Sequence, residues 1–201
     1  MSFDVLFDFE SALAKYTGAP YAVVTDGGTH ALELCLRFDQ VETVGLTPYT
    51  YLSIPQLLNQ LDIGYYYLNE TEQTWVGEYQ LIDTRIWDSA RRLEQNMYRR
   101  YQLQCLSFGN GKPLELGKCG AILTDSVRAY ETLSRMRSDG RDLRITPWSD
   151  QRTFDQGYHY CPTLETCSLG LEKLALVKQK PKYHQYPDLR SIDFARQDRI
   201  Q

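Results

Sequence analysis

The chain has 201 residues, 42% of them hydrophobic, and a formal net charge of −4 at neutral pH. This length suits one domain with its own core and, at most, a short appended arm. The charge is mildly acidic, without a block of like charges, so we expect neither nucleic acid nor a membrane surface as a partner. We expect neither a transmembrane helix nor a signal peptide, because no apolar stretch is long enough and the first nine residues carry acids instead of a basic region.

The cysteines at positions 35, 105, 119, 161 and 167 include no Cys-x-x-Cys pair, and four of them lie in segments of apolar pattern. This usage predicts buried free thiols in a reducing, cytoplasmic compartment. It favours neither a disulfide framework nor a metal site.

Hydrophobic periodicity predicts an alternation of helices and strands along the chain. Phe9, Ala12, Leu13 and Tyr16 recur at helical spacing, and Gly18 is suited to end that first helix. The further predicted elements are, in chain order, a strand at 21–25, a helix from residue 29, a strand at 43–46, a helix with proline 55 in its first turn, a strand at 63–68, a strand or closely spaced pair at 79–87, a helix at 88–97, strands at 104–108 and 120–123, and helices at 126–136 and 164–177. Such alternation predicts an α/β fold with a mostly parallel sheet and helices on both faces.

The last two dozen residues are mostly polar and include Pro181 and Pro187. We therefore divide the chain into a folded domain at 1–177 and an extended arm or disordered tail at 178–201.

Lys112 follows a glycine-rich turn between two strand-like segments, five residues after Ser107. A lysine held there can act as an amine nucleophile towards carbonyls, as in Schiff-base chemistry with pyridoxal 5′-phosphate (PLP). A phosphate-binding P-loop is excluded, because Leu106 stands where that motif needs glycine and Pro113 where it needs serine or threonine. The competing interpretation is a solvated lysine on a surface turn.

Other polar residues follow the remaining strands, at the edge where α/β folds bind ligands. Gly28 and Thr29 offer backbone N–H groups and a hydroxyl to a phosphate, Tyr51 offers a ring for stacking, and Asp88 offers a carboxylate to a pyridine nitrogen. Each has an ordinary alternative: Thr29 and Asp88 as helix N-caps, and Tyr51 as a packing residue. Those alternatives do not predict the joint order along the chain, which is the layout of a PLP site.

Five short motifs occur in a defined order, namely Phe9-Glu10, Gly28-Thr29-His30-Ala31-Leu32, Thr50-Tyr51-Leu52-Ser53, Asp88-Ser89-Ala90 and Ser107-Phe108-Gly109-Asn110-Gly111-Lys112. With them, the chain from the Phe9-Glu10 helix to Leu174 resembles the DegT/DnrJ/EryC1/StrS family of sugar aminotransferases, which are fold type I PLP enzymes. The resemblance implies a minimal PLP-transferase type I large domain. It also implies that the chain lacks the family's C-terminal small domain and at least one βα crossover, between residues 68 and 87.

The resemblance also implies roles for the matched residues. Gly28, Thr29 and Ser107 would hold the phosphate of PLP, and Tyr51 would stack on its ring.

The implied catalytic residues are Asp88, as the partner of the pyridine nitrogen, and Lys112, as the Schiff-base lysine and proton shuttle. Two further positions depart from the family pattern. Arg91 replaces a glutamine or histidine near the phenolic oxygen of the cofactor. His159 replaces an asparagine that reaches the cofactor phosphate of the neighbouring subunit.

The activity that the resemblance implies is transfer of an amino group from an amino acid, usually glutamate, to a keto sugar that is normally nucleotide-linked. The same family works as a homodimer with shared active sites. Two alternatives remain open, because the missing parts normally close the site. One is a PLP enzyme acting on small amino acids as a racemase, lyase or slow transaminase. The other is a catalytically silent PLP-fold binding protein.

Overall fold

The computed structural model describes residues 2–69, 77–177, 186–192 and 194. Its helices are α1 (Asp4–Thr17), α2 (Gly28–Phe38), α3 (Ser53–Gln60), α4 (Val127–Arg137) and α5 (Leu164–Leu174), with a short 3₁₀ helix at Trp148–Asp150. Its strands are β1 (Tyr21–Thr25), β2 (Thr43–Leu46), β3 (Gly64–Tyr67), β4 (Tyr79–Gln80), β5 (Ile86–Asp88), β6 (Leu103–Ser107) and β7 (Gly120–Thr124).

The first helix shows how the sequence pattern becomes structure. Leu6, Phe9 and Leu13 lie three or four residues apart, so they share one face of α1, and all three are fully buried. The helix ends where Gly18 adopts the left-handed conformation (φ 76°), which glycine accepts without strain.

The strands form one main sheet with the order β1-β7-β6-β5-β4, and β2 pairs in parallel with β3. A bridge between Gly45 of β2 and Ile82, just beyond β4, joins the two sheets. β4 and β7 run antiparallel to their neighbours, whereas β5 is parallel to β6. Five of the seven strands in the described ranges therefore point the same way, and their carboxyl ends share one edge.

The predicted α/β class is confirmed, and most of the described strands point in the same direction, as predicted for a mostly parallel sheet. Most adjacent pairs of the main sheet are nevertheless antiparallel, because the two reversed strands, β4 and β7, lie among the others. Helices cover both faces, as predicted. One core cluster contains Leu34 of α2 and Leu58 of α3, and the other contains Leu13 of α1 and Cys167 of α5.

The predicted helix at 88–97 is wrong, since this segment forms turns. Backbone bonds to a distant element replace helical ones: the N–H of Asn96 donates to the carbonyl of Tyr16, and that of Tyr98 to the carbonyl of Thr17. Asn96 itself has a positive φ of 54°, which a continuing helix does not allow.

Two predictions fall partly on residues outside the described ranges. The shortened crossover includes residues 70–76, and the tail includes 178–185, 193 and 195–201. None of the helices in the described part of the chain has both the length and the apolar character to cross a bilayer. The five cysteines are free thiols, four of them buried and Cys161 half-buried, as predicted.

Candidate active site

Strand ends and loops that are distant in sequence meet in a cavity of about 360 Å³, here called the strand-edge cavity. Its volume lies in the range of about 300–1,000 Å³ that is usual for small-molecule sites. The lining includes Gly28 and Thr29 after β1, Tyr51 and Ser53 after β2, Asp88, Ala90 and Arg91 at the end of β5, Ser107, Gly109, Asn110 and Lys112 at the end of β6, and Tyr186. A larger and more open depression, of about 710 Å³, lies beside α1. We assign the chemistry to the strand-edge cavity because a carboxylate, two cations and several hydroxyls converge there.

The turn after β1 brings the amino end of α2 against β6. A Cβ at Gly28 would lie 2.7 Å from the Cβ of Ser107, so only glycine allows this approach. Gly27 caps α2 in an extended conformation without a side-chain hydrogen bond, and the Thr29 hydroxyl lies 3.1 Å from the Ser53 hydroxyl. Thr29 therefore lies inside the first turn and is not the N-cap. Backbone N–H groups at a helix start, with three nearby hydroxyls, suit an anion.

Gly120 of β7 supports the same turn from behind. A Cβ there would lie 2.5 Å from the backbone nitrogen of Gly28 and 2.6 Å from the carbonyl carbon of Gly27. The close contact between the turn and the sheet therefore depends on two glycines far apart in sequence.

Asp88 is the last residue of β5 and is only 5% exposed. Its Oδ1 accepts a hydrogen bond from the N–H of Ala90 (2.9 Å), and its Oδ2 accepts one from the Tyr79 hydroxyl (2.8 Å). Burial raises the pKa of Asp88, whereas these two hydrogen bonds and the charge of Lys112 oppose the rise. Asp88 is thus not a helix N-cap; it is a buried acid within the electrostatic reach of a lysine.

Tyr79 and the adjacent Ser89 hold Asp88 in place, the first by a direct hydrogen bond and the second through the chain. Tyr79 lies directly opposite Asp88 in the register of β4 and β5, and its hydroxyl also shares a hydrogen bond with Thr50. Burial, followed by the charge of Asp88, raises the pKa of Tyr79 well above its usual value, so this phenol stays a hydrogen-bond donor. The hydroxyl of Ser89, the residue that follows Asp88, donates to the buried carboxylate of Glu78 (2.9 Å).

Glu78 is at the centre of a network of polar contacts next to the end of β5. It is 5% exposed and forms ion pairs with Arg92 and Arg99. A buried carboxylate needs such partners, because desolvation is costly for an unpaired charge. The network fixes the turn that carries Asp88 and Arg91.

Lys112 follows a tight turn after β6. Its N–H donates to the carbonyl of Gly109 (3.2 Å), and Gly111 adopts a positive φ of 71°. The loop then comes back to the end of β6, where the N–H of Leu116 donates to the carbonyl of Phe108 (2.8 Å). The lysine is half-buried, and its Nζ donates to the Tyr186 hydroxyl at 3.2 Å. It is therefore a cavity lysine and not a solvated one.

The structure brings together most of the residues that the sequence predicts for the site. The strand-edge cavity is lined by Gly28, Thr29, Tyr51, Asp88, Arg91, Ser107 and Lys112. His159 lies elsewhere: its side chain is 90% exposed, and its Nδ1 is 3.1 Å from Oδ1 of Asp139.

Sequence reasoning missed Glu78, Tyr79 and Tyr186. Glu78 and Tyr79 belong to a segment of weak pattern, although the alternation around β4 could have suggested a residue facing Asp88. Tyr186 lies in a polar segment, and no local signal indicates its long-range contact with Lys112.

Residues 4–91 match the model of the DegT/DnrJ/EryC1/StrS aminotransferase family. A search of curated proteins finds no match to this chain. Among solved structures, Helicobacter pylori PseC, an aminotransferase of pseudaminic acid biosynthesis, is 17% identical with a TM-score of 0.69, covering 86% of this chain and 58% of that protein. AtS13 from Actinomadura melliaura is also 17% identical, with a TM-score of 0.71 and coverages of 88% and 61%.

A third solved structure is that of the E. coli GDP-4-keto-6-deoxy-D-mannose-3-dehydratase with bound hydrated PLP. It is 14% identical with a TM-score of 0.70, covering 86% of this chain and 60% of that protein. The chain thus spans about three-fifths of the length of these proteins. At such identities the structural likeness shows the fold alone. Residues 4–91 are therefore similar in sequence to the DegT/DnrJ/EryC1/StrS aminotransferase family, and most of the chain is similar in fold to these solved structures.

Proposed function

We propose that this chain is a PLP-dependent aminotransferase that moves an amino group from an amino acid, in the first instance glutamate, to a keto sugar, in the first instance a nucleotide-linked one. One observation carries the proposal: an anion cradle, a buried acid and a primary amine line a single cavity, and these are the groups that PLP would need. The family match and the PLP-bound relative support the same cofactor.

The residues present fit PLP. The cradle of Gly28, Thr29 and Ser107 offers N–H and hydroxyl donors to a phosphate, and a Cβ at Gly28 would close it. Tyr51, in the loop after β2, lines the cavity, is 48% exposed and would stack its ring on that of the cofactor.

Two residues act on protons. Asp88, as a carboxylate, would keep a pyridine nitrogen protonated, and the hydrogen bond from Tyr79 favours that ionised form. Lys112 would bind the cofactor covalently through its amine and, once released, move a proton to and from the substrate. Bound PLP itself supplies the electron sink that makes such proton transfer feasible.

Arg91 distinguishes this site from the family pattern. Its Nε already donates to a phenolic oxygen, that of Tyr186, at 3.1 Å. A permanent cation at this position would favour the ionised form of the cofactor's own phenolic hydroxyl. We propose Arg91 as the residue that pairs with that oxygen.

The proposed assembly is a homodimer with shared active sites, in which His159 reaches the cofactor phosphate in the partner subunit. The exposure of His159 supports this assignment, because a residue that serves another subunit must lie at the surface. Free, mostly buried thiols support a cytoplasmic location, where thiols stay reduced.

A single-turnover experiment tests the activity. PLP-loaded protein is mixed with L-glutamate, and the released 2-oxoglutarate is quantified against the number of sites. One equivalent per site supports an amino transfer, and Lys112→Ala should release none. Absence of the keto acid would contradict the aminotransferase assignment. If the amino acid in the same sample instead has an inverted α-carbon, the protein is a racemase, and if the amino acid is cleaved, it is a lyase. A PLP complex that leaves the amino acid unchanged would identify a binding protein.

A further inference from the structure

Tyr186 reaches the strand-edge cavity from a segment 74 residues beyond Lys112. Its hydroxyl oxygen accepts hydrogen bonds from Nζ of Lys112 (3.2 Å) and from Nε of Arg91 (3.1 Å). The phenol therefore lies between the two cations of the site.

The ring of Tyr186 fills space next to the other predicted cofactor residues. Its centroid is 5.4 Å from that of Tyr51, with the planes tilted by 48°. The guanidinium carbon of Arg91 lies 4.9 Å from the ring centroid, a cation–π distance, and Nζ of Lys112 lies 5.9 Å from it. One aromatic ring thus touches the stacking residue, the phenol-binding residue and the nucleophile together.

The segment that carries Tyr186 is attached to the domain. The N–H of Leu189 donates to the carbonyl of Pro48 (2.9 Å), and the Leu189 side chain is only 4% exposed. Pro48 belongs to the loop after β2 that also carries Tyr51. The segment is therefore seated on the rim of the cavity and not merely near it.

We propose that Tyr186 is an internal ligand of the strand-edge cavity that competes with PLP. A phenol and a 3-hydroxypyridine present the same features: a flat six-membered ring with one hydroxyl. Lys112, Arg91 and Tyr51 contact those features in Tyr186, and they are the residues proposed to contact the cofactor ring. The ring of Tyr186 is part of the lining of the cavity of about 360 Å³, next to these three residues. The inference rests on the proposed function, whose cofactor it regulates.

Competition has a defined effect on affinity. A site that is open for only a fraction of the time binds its ligand more weakly by that fraction. The hydrogen bond to Tyr186 also occupies the amine that must attack the carbonyl of PLP. Loss of the tyrosine should therefore strengthen PLP binding and expose Lys112.

The first test needs no cofactor. The full-length chain, freed of PLP, is treated with formaldehyde and borohydride, and methylation of each lysine is followed by peptide mass spectrometry. Lys118, whose side chain is 75% exposed, serves as the internal reference. We expect Tyr186→Ala to raise the rate at Lys112 roughly tenfold relative to Lys118, as for a site that opens from a minor to the major population. An unchanged ratio would contradict the contact.

The second test titrates PLP into the same variants. Tyr186→Ala should lower the dissociation constant by roughly ten- to a hundredfold, and Tyr186→Phe by less, because the ring stays while both hydrogen bonds are lost. Tyr66→Phe is the matched control, since Tyr66 is 48% exposed and its hydroxyl binds Asp83, away from the cavity.

The outcomes separate the two proposals. Weaker or unchanged PLP binding in Tyr186→Ala would overturn competition, because the tyrosine would then support the cofactor or ignore it. If no variant binds PLP, the proposed function is contradicted, and the labelling ratio still decides whether Tyr186 covers Lys112.

Discussion

Asp88 illustrates, at the scale of one residue, why a functional group can oppose stability. Burial raises its pKa above the value of an unfolded chain, and the Tyr79 hydroxyl, the Ala90 N–H and the charge of Lys112 offset this only in part. A raised acid pKa means that the contribution to stability is present below the unfolded pKa and is lost as the pH rises through the folded value. The ionised carboxylate is therefore a cost to the folded chain at neutral pH.

We predict that Asp88→Asn raises the melting temperature of the cofactor-free protein at pH 7, and that the gain disappears near pH 3. The amide keeps an acceptor for Ala90 and adds a donor for Tyr79, so the hydrogen bonds survive without the charge. Thermal melts across this pH range provide the measurement. Asp8→Asn, at an exposed position of α1, is the control and should change stability by less than about 0.5 kcal/mol. A lower melting temperature of Asp88→Asn at pH 7 would refute the argument.

The site residues that the sequence could reveal are those that directly follow strands. Asp88 and Lys112 stand beside recognisable strand ends, so chain order alone places them at one edge of the sheet. Tyr79 and Tyr186 depend on contacts that span 9 and 74 residues. The alternation around β4 gives only a weak indication of Tyr79, and no local pattern indicates Tyr186.

At the scale of elements, the junction between α2 and β6 depends on close backbone approach. Gly28 of the helix meets Ser107 of the strand, and Gly120 of β7 meets the same turn. The sequence predicts these elements because their apolar periodicity is regular. It fails for 88–97, where long-range bonds to the end of α1 override a helical pattern.

We predict that Gly28→Ala lowers the free energy of unfolding by roughly 1–3 kcal/mol, the usual cost of overpacking. The added Cβ would lie 2.7 Å from the Cβ of Ser107 and 3.1 Å from the carbonyl oxygen of Leu106, so α2 must shift away from the cradle. PLP affinity should fall at least tenfold, equivalent to about 1.4 kcal/mol. Chemical denaturation and PLP titration measure the two effects.

Gly27→Ala is the matched control in the same turn. Its Cβ would meet nothing nearer than Nδ1 of His30 at 3.9 Å, and its φ of −168° suits any residue. We expect a cost below about 1 kcal/mol, that of replacing a glycine N-cap. Equal losses in the two variants would show that close packing at Gly28 is not the cause.

At the scale of the whole molecule, the proposed dimer makes each active site depend on two subunits. We predict that Lys112→Ala and His159→Ala subunits complement each other after mixing and exchange. A hybrid dimer contains one site with both Lys112 and the partner's His159, and that site should bind PLP covalently with normal affinity. Trapping with borohydride at low PLP concentration counts such sites. A mixture that equals the sum of its parents would place both residues in one self-contained site.

The length of the chain also bears on how the whole molecule would bind PLP. It spans about three-fifths of the length of the solved structures that it matches, and its segment at 186–192 places Tyr186 in the lining of the cavity. A chain with this internal aromatic ligand would thus bind PLP by displacing its own side chain.

Covalent capture of PLP tests the central claim most directly. The full-length protein is saturated with PLP, reduced with borohydride, digested, and examined by mass spectrometry for a pyridoxyl group, with Lys112→Ala and Lys118→Ala treated in parallel. We predict one pyridoxyl group per chain, on Lys112, together with a visible absorption band that Lys118→Ala retains and Lys112→Ala lacks. Modification spread over several exposed lysines, or equal in Lys112→Ala, would contradict the account.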